Sequence, residues 1–338
     1  MTYKLGILDQ SPVFPGNTAT QALQQTIRLA QKAEEWGYNR FWVSEHHDTE
    51  ELAGSSPEIL ISHLLARTNS IRIGSGGVML QHYSPYKVAE NFNLLSSLAP
   101  GRVDLGIGKA PGGFPLSTKA LQFGSSNSGL DFEERIGLLN KFLEDSLEIE
   151  HPLAGVKATP IPQEKTENYL LGASPASAKL AADIGWNFVF ALFINSDLSV
   201  LEEAARVYHK ESGGGRLIVA ASVVAAPSQE EADQLAGEQK IFKVHLESGR
   251  SVTVVTAEQA EAFGKQAGES YEVTEHASNT ITGTSSFIHE KLEQLHHAYK
   301  VDEFIFHIPI EKEAERSRAF QLLSPVHSKV ERKEKEYV

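Results

Sequence analysis

The run "SPYKVAENFNLLSSLAPGRVDLGIGK", residues 84–109, contains the unit from which the rest of the chain is built. Ser84-Pro85 offers a capping hydroxyl followed by a proline, whose missing N–H costs nothing at the first helical position. Val88, Phe92, Leu95 and Leu98 recur at steps of three and four, which predicts one apolar helix face. Pro100-Gly101 stops the helix. The apolar run that follows, "VDLGIGK" (103–109), barely alternates, as expected of a parallel strand buried on both faces. A helix feeding such a strand is half of a β/α repeat.

The pattern extends in both directions. Toward the N-terminus the candidate strands are "KLGILD" (4–9), "RFWVSE" (40–45) and "IRIGSGG" (71–77). Toward the C-terminus they are "NYLLGA" (168–173), "NFVFALF" (187–193), "LIVAASVV" (217–224) and "EFIFHIP" (303–309). Ser56-Pro57 repeats the helix-start signal, and Leu23, Ile27, Ala30 and Ala33 form another apolar stripe, closed by Gly37. Eight strands alternating with helices predict the α/β class and a (β/α)8 TIM barrel, with an open doubly wound sheet as the competitor. The 338 residues fit a single such domain, 1–338. Between the seventh and eighth strands the gap is too long for one crossover helix. "SQEEADQLAGEQKIFKVHLES" (228–248) and "TAEQAEAFGKQAG" (256–268) read as helical pieces, followed by the polar "ESYEVTEHASNTITGTSS" (269–286). Residues 225–285 are therefore expected to form a lid at the C-terminal face of the barrel. The closing "ERKEKEYV" (331–338) reads as a solvated helix end.

Composition narrows the function. A net charge of −13 argues against nucleic acid or an anionic membrane as the main partner. The absence of cysteine excludes disulfides, thiolate metal sites and Cys nucleophiles. The opening "MTYKLGILDQSPVF" has no signal-peptide pattern, and no stretch is long and apolar enough for a membrane span, so a cytoplasmic protein is expected.

Barrel enzymes work at the C-terminal ends of their strands. The second candidate strand ends in Glu45, His46 and His47, and the third in Gly74, Ser75, Gly76 and Gly77. The fourth ends in Lys109, and the fifth in Ala173, Ser174 and Ser177. "EHH" is equally readable as a strand end meeting water. No cluster has metal-ligand spacing, so no metal is expected. The glycines fit no G-x-G-x-x-G helix start; they read either as tight turns or as backbone against which a flat ligand lies. Ser174-Pro175 opens a helix directly after a strand, with Ser177 one turn on. Free N–H groups and hydroxyls there, with Lys109 nearby, point to a phosphate site, although the serine alone is explained as a cap.

These blocks, with "GILDQSPV", "WGYNRFWVSEHH", "IRIGSGGVML", "LLGASPASAKLAADIG" and "VDEFIFHIPI", resemble the bacterial luciferase-like flavin-dependent oxidoreductases nearly end to end. The resemblance implies a barrel that takes FMN as diffusible reduced flavin from a separate NAD(P)H:flavin reductase. It implies oxidation of a small organic substrate, such as an aldehyde, with O2. His46 falls at the position that supports flavin–oxygen chemistry as a proton donor or acceptor, and an imidazole suits that task. Glu45 matches a carboxylate that orients the site, and His47 is expected to be structural. Gly76-Gly77 falls at a non-prolyl cis peptide beneath the flavin ring. Lys109 replaces a phosphate-binding Arg and lacks its bidentate fork. Ser174 and Ser177 match phosphate contacts. Ala173 replaces a Glu and Gly108 a reactive Cys, which sets the chain apart from the light-emitting luciferases. A homodimer built on helices of the N-terminal half is implied. Hydride transfer with the deazaflavin F420, and a non-catalytic flavin-binding subunit, remain alternatives; a phosphosugar-type barrel enzyme ranks last.

Overall fold

In the computed structural model, which describes residues 2–124, 129–237 and 240–328, residues 84–109 form a helix, Pro85–Leu98, and a strand, Val103–Gly108. All eight candidate runs contain a strand. We label them β1 (Lys4–Asp9), β2 (Arg40–Val43), β3 (Arg72–Ser75), β4 (Val103–Gly108), β5 (Glu167–Gly172), β6 (Asn187–Ala191), β7 (Leu217–Ala225) and β8 (Glu303–His307). Each pairs in parallel with its successor, and β8 pairs with β1, so the sheet closes. This closed eight-stranded sheet with helices between its strands is a (β/α)8 barrel, and closure removes the edges an open sheet would expose.

The barrel interior is layered. At the strand starts, Arg40, Asp104 and Glu303 are sealed from solvent. Arg40 donates to Glu303 Oε1 (2.9 Å), Asp104 Oδ2 (2.6 Å) and the Tyr169 hydroxyl (2.8 Å). Trp42 Nε1 and Arg72 also donate to Asp104 (2.8 and 2.6 Å). Above this ionic plug lies an apolar layer of Leu8, Trp42, Tyr169, Val189, Ile218, Ala220 and Ile305. Small residues make room for it: a Cβ on Gly74 would come within 2.9 Å of Trp42 Nε1, and one on Gly76 within 2.8 Å of Leu8 Cδ1.

Three details differ from the sequence expectations. Ser56 and Ser84, with ψ angles of 90° and 123°, precede helices with Pro at the start, yet neither hydroxyl caps. Ser174, with ψ 159°, does cap, accepting from Ser177 N at 3.2 Å. Leu98 is 66% exposed, whereas Val88, Phe92 and Leu95 are buried. At about 3.6 residues per turn, the last step of three carries Leu98 off the buried stripe.

The excursion between β7 and β8 begins with the helix Gln229–Ala236, but "KIFKVHL" is a strand, Lys240–Leu246, not helix. It pairs antiparallel with Ser251–Val254 on one side and Tyr271–Ala277 on the other. Val244 and Leu246 are buried at a spacing of two, an alternation that charged neighbours hide in the sequence. Helix Ala257–Ala267 packs on this sheet through Ala260 and Phe263. The excursion reaches back to the barrel loops: Phe263 meets Phe114 edge-on (6.0 Å between centroids), and Gln259 donates to Glu51 (2.9 Å). Residues 281–283 then pair with β7 outside the barrel, and Ala226 N donates to Gly283 O at 3.2 Å. No described helix is long and apolar enough to cross a membrane. The 331–338 segment lies outside the described residues.

Candidate active site

Strand alternation decides what the barrel mouth presents. Leu8, Trp42, Tyr169, Val189, Ala220 and Ile305 face inward. Continuing by twos along each strand brings Gln10, His46, Gly76, Gly108, Ala173, Phe193, Ser222 and His307 to the inward positions at the mouth. The ring has two unlike halves. On β3, β4 and β5 its positions Gly76, Gly108 and Ala173 carry nothing larger than a methyl group, with Leu171 packed on the inner apolar layer between Tyr169 and Ala173 and the Met79 thioether beside Gly108. On the other strands it carries an amide, two imidazoles, a phenyl ring and a hydroxyl. The Gly76–Gly77 peptide is cis.

His46 accounts for one imidazole. Its backbone N donates to Gly54 O (2.8 Å), and its Nδ1 pairs with the Ser44 hydroxyl (3.0 Å). Among the described residues nothing hydrogen-bonds its Nε2. Burial and the adjacent His47 push its pKa down to about 4, against the pull of Glu45, so the ring is neutral at pH 7. His307 is the second imidazole, at the end of β8. Its Nε2 donates to Gln10 Oε1 (2.9 Å), and its ring lies 5.8 Å from that of Phe193. Burial, Arg316 and His46 hold it down to about 4, with Asp9 opposing.

Glu45 alternates with His46 and points away from the barrel axis. Its fully buried carboxylate accepts from His47 Nε2 (2.8 Å), the Tyr83 hydroxyl (2.8 Å) and Met79 N (3.0 Å). It therefore ties the loop after β3 to the end of β2, and His47 is one of its ligands. Burial and the Glu45 carboxylate raise the Tyr83 hydroxyl well above its usual range, which keeps it a donor. His82, lowered chiefly by burial, pairs with Pro111 O (2.8 Å) and braces the loop after β4.

Ser174 and Ser177 stand together at the start of helix Pro175–Asp183, with their hydroxyls 3.0 Å apart. Gly172 lets this helix close on β5, since a Cβ there would collide with Ser177. The register pairing Ile107 with Leu170 brings Lys109 level with Gly172. The Lys109 side chain is exposed, its ammonium 5.7 Å from the Phe132 ring centroid, and among the described residues it has no ion-pair partner. No described group of His, Asp and Glu has the arrangement of a metal site.

The fold therefore brings Glu45, His46, Gly76, Gly77, Lys109, Ala173, Ser174 and Ser177 to one end of the barrel. Sequence reading missed His307, Gln10, Phe193 and Ser222. The criterion that selected "EHH", polar residues at a strand's C-terminal end, applies equally to the His of "EFIFHIP".

Comparison with known proteins agrees with this fold. The luciferase-like monooxygenase family matches residues 3–299. An N-acetyl-S-alkylcysteine monooxygenase of Bacillus subtilis is 46% identical over 324 residues, covering 95% of this chain and 97% of that protein. The crystal structure of apo-MsnO8 superposes with a TM-score of 0.77 at 31% identity, covering 96% of this chain and 98% of the other. The FMN-bound oxygenating constituent of 3,6-diketocamphane monooxygenase of Pseudomonas putida shares the fold, with a TM-score of 0.69 at 19% identity, covering 96% of this chain and 97% of the other. With the family matched along most of its length and a relative this similar, the chain belongs to the luciferase-like monooxygenases.

Proposed function

We propose that this monooxygenase uses FMN, reduced by a separate NAD(P)H:flavin reductase, and O2 to oxidise a small thioether of the N-acetyl-S-alkylcysteine class. The observation that carries the flavin reading is the asymmetric mouth. Gly76, Gly108 and Ala173 present backbone or a methyl group to the mouth, and a hydroxyl-lined helix start stands at the same end of the barrel. The thioether replaces the aldehyde expected from sequence, because the relative at 46% identity is named for that substrate.

In this reading the Ser174 and Ser177 hydroxyls, the Ala176 N–H in the first turn of helix Pro175–Asp183 and the Lys109 ammonium hold the phosphate. Gly76, Gly77, Gly108 and Ala173 border the ring. When bound, reduced flavin supplies two electrons to O2, with one oxygen atom passing to substrate and the other to water. His46 holds or releases a proton at Nε2, and Glu45 positions the loops around it.

The test is an anaerobic titration with reduced FMN, with F420 as the control, followed by air and an N-acetyl-S-alkylcysteine. Binding of reduced FMN and oxidation of the thioether with one O2 per turnover is the expected result. Lys109→Ala should weaken FMN about tenfold, more at low salt, through loss of a charge-assisted contact. Binding of F420 alone would replace oxygen chemistry with hydride transfer. FMN binding without turnover of any thioether would leave a flavin-binding subunit.

The assembly is proposed to be a homodimer. Ile59 (70% exposed), Leu94 (50%) and Leu98 lie on helices Pro57–Leu65 and Pro85–Leu98, which pack side by side in the N-terminal half. A solution mass twice that of the chain, reduced to one chain by Leu94→Glu with Leu98→Glu, is expected. A monomeric wild-type protein rejects this assembly.

A further inference from the structure

We propose that His307 sets substrate specificity by accepting the N–H of an acylated amino group, so that the mouth takes N-acyl S-alkyl amino acids and rejects their free amines. The thioether class comes from the function proposed above; the discrimination at nitrogen comes from the mouth itself.

The geometry assigns one lone pair to this task. His307 Nε2 donates to Gln10 Oε1 (2.9 Å), which places the ring proton on Nε2 and leaves Nδ1 as an acceptor. Among the described residues nothing hydrogen-bonds Nδ1. The charged and titratable groups acting on the ring are Arg316, Asp9 and His46. Arg316 and Asp9 are committed to each other at 2.8 Å, and Asp9 also accepts from Thr26 (2.5 Å). Burial keeps the imidazole neutral at pH 7, so Nδ1 remains an acceptor.

The rest of the ring decides which donor fits. None of the eight inward mouth positions carries a carboxylate, and Glu45 is turned outward into its own three hydrogen bonds. An ammonium entering here would lose its water and meet no compensating charge, a heavy penalty. Acylation removes that charge and leaves one N–H for one lone pair. Phe193, whose ring lies 5.8 Å from that of His307, offers an apolar wall to the S-alkyl group. His307 stands on the decorated half of the ring, away from the bare wall of Gly76, Gly108 and Ala173, so substrate and flavin do not compete for it.

The experiment is calorimetric titration of the full-length protein, with and without oxidised FMN and with no reductant. The three probes are N-acetyl-S-ethylcysteine, S-ethylcysteine, and the analogue in which oxygen replaces the acetamide NH. The wild-type protein should bind the N-acetyl compound about tenfold or more tightly than either analogue. His307→Ala should abolish the preference over the oxygen analogue, and His307→Gln, whose amide oxygen also accepts, should restore part of it. Thermal melting establishes that both variants are folded. A preference that survives His307→Ala, or a wild-type protein that does not bind the N-acetyl compound, overturns the proposal. A loss of FMN affinity in step with the loss of preference also overturns it, by assigning His307 to the flavin. If wild-type protein fails to bind FMN but keeps the His307-dependent preference, the flavin reading falls and this one stands.

Discussion

Replacing His46 with alanine is expected to lower turnover by about 10²–10⁴-fold while FMN affinity changes little. The expectation follows from how the ring is held. Ser44 and the backbone contact to Gly54 fix its orientation, and Nε2 has no hydrogen-bond partner among the described residues. Its neutrality is what makes it useful, because an imidazole already protonated at pH 7 has no lone pair to offer. Steady-state turnover with an excess of flavin reductase, alongside an FMN titration, separates the two effects. Unchanged turnover would reduce His46 to a strand end. Equal losses in turnover and FMN affinity would move it from proton handling to flavin binding.

The second large effect concerns stability. Arg40→Ala should cost about 3–5 kcal/mol, because it takes from a sealed layer the cation that Glu303 pairs with and that Asp104 shares with Arg72. Arg72 still reaches Asp104, but among the described residues Glu303 keeps only the Asn39 amide as a side-chain hydrogen-bond partner (3.1 Å). Removing the charges together, as Arg40→Met with Asp104→Asn and Glu303→Gln, should be much less damaging than removing Arg40 alone. Urea unfolding of the two variants checks this. A loss below about 1 kcal/mol for Arg40→Ala would mean that water or neighbouring groups already compensate the carboxylates.

What could be read before folding and what could not divide along physical lines. Buried parallel strands announce themselves as short apolar runs, so all eight strands were legible. His46 was singled out because it ends such a run with an imidazole. His307 does the same, yet it went unread because a strand's parity shows which side faces the axis only once an inward residue such as Ile305 is known. The Arg40 cluster joins the starts of β2, β4 and β8, far apart in sequence, and no local pattern reports it. The strand Lys240–Leu246 was hidden by lysines and a histidine between its apolar residues. The missing caps at Ser56 and Ser84 depend on side-chain and backbone geometry, which residue identity does not set.

The return of residues 281–283 to the flank of β7 has a consequence for the history of the molecule. Departure and re-entry are stitched together by the Ala226–Gly283 hydrogen bond, so to the barrel the whole intervening subassembly is a single short bridge. Its own small sheet and core hold it together from within. Lengthening or trading that piece would add little closure entropy, since the penalty grows only logarithmically with length. Evolution can therefore rewrite this excursion while the eight strands, and the residues at their ends, keep their places.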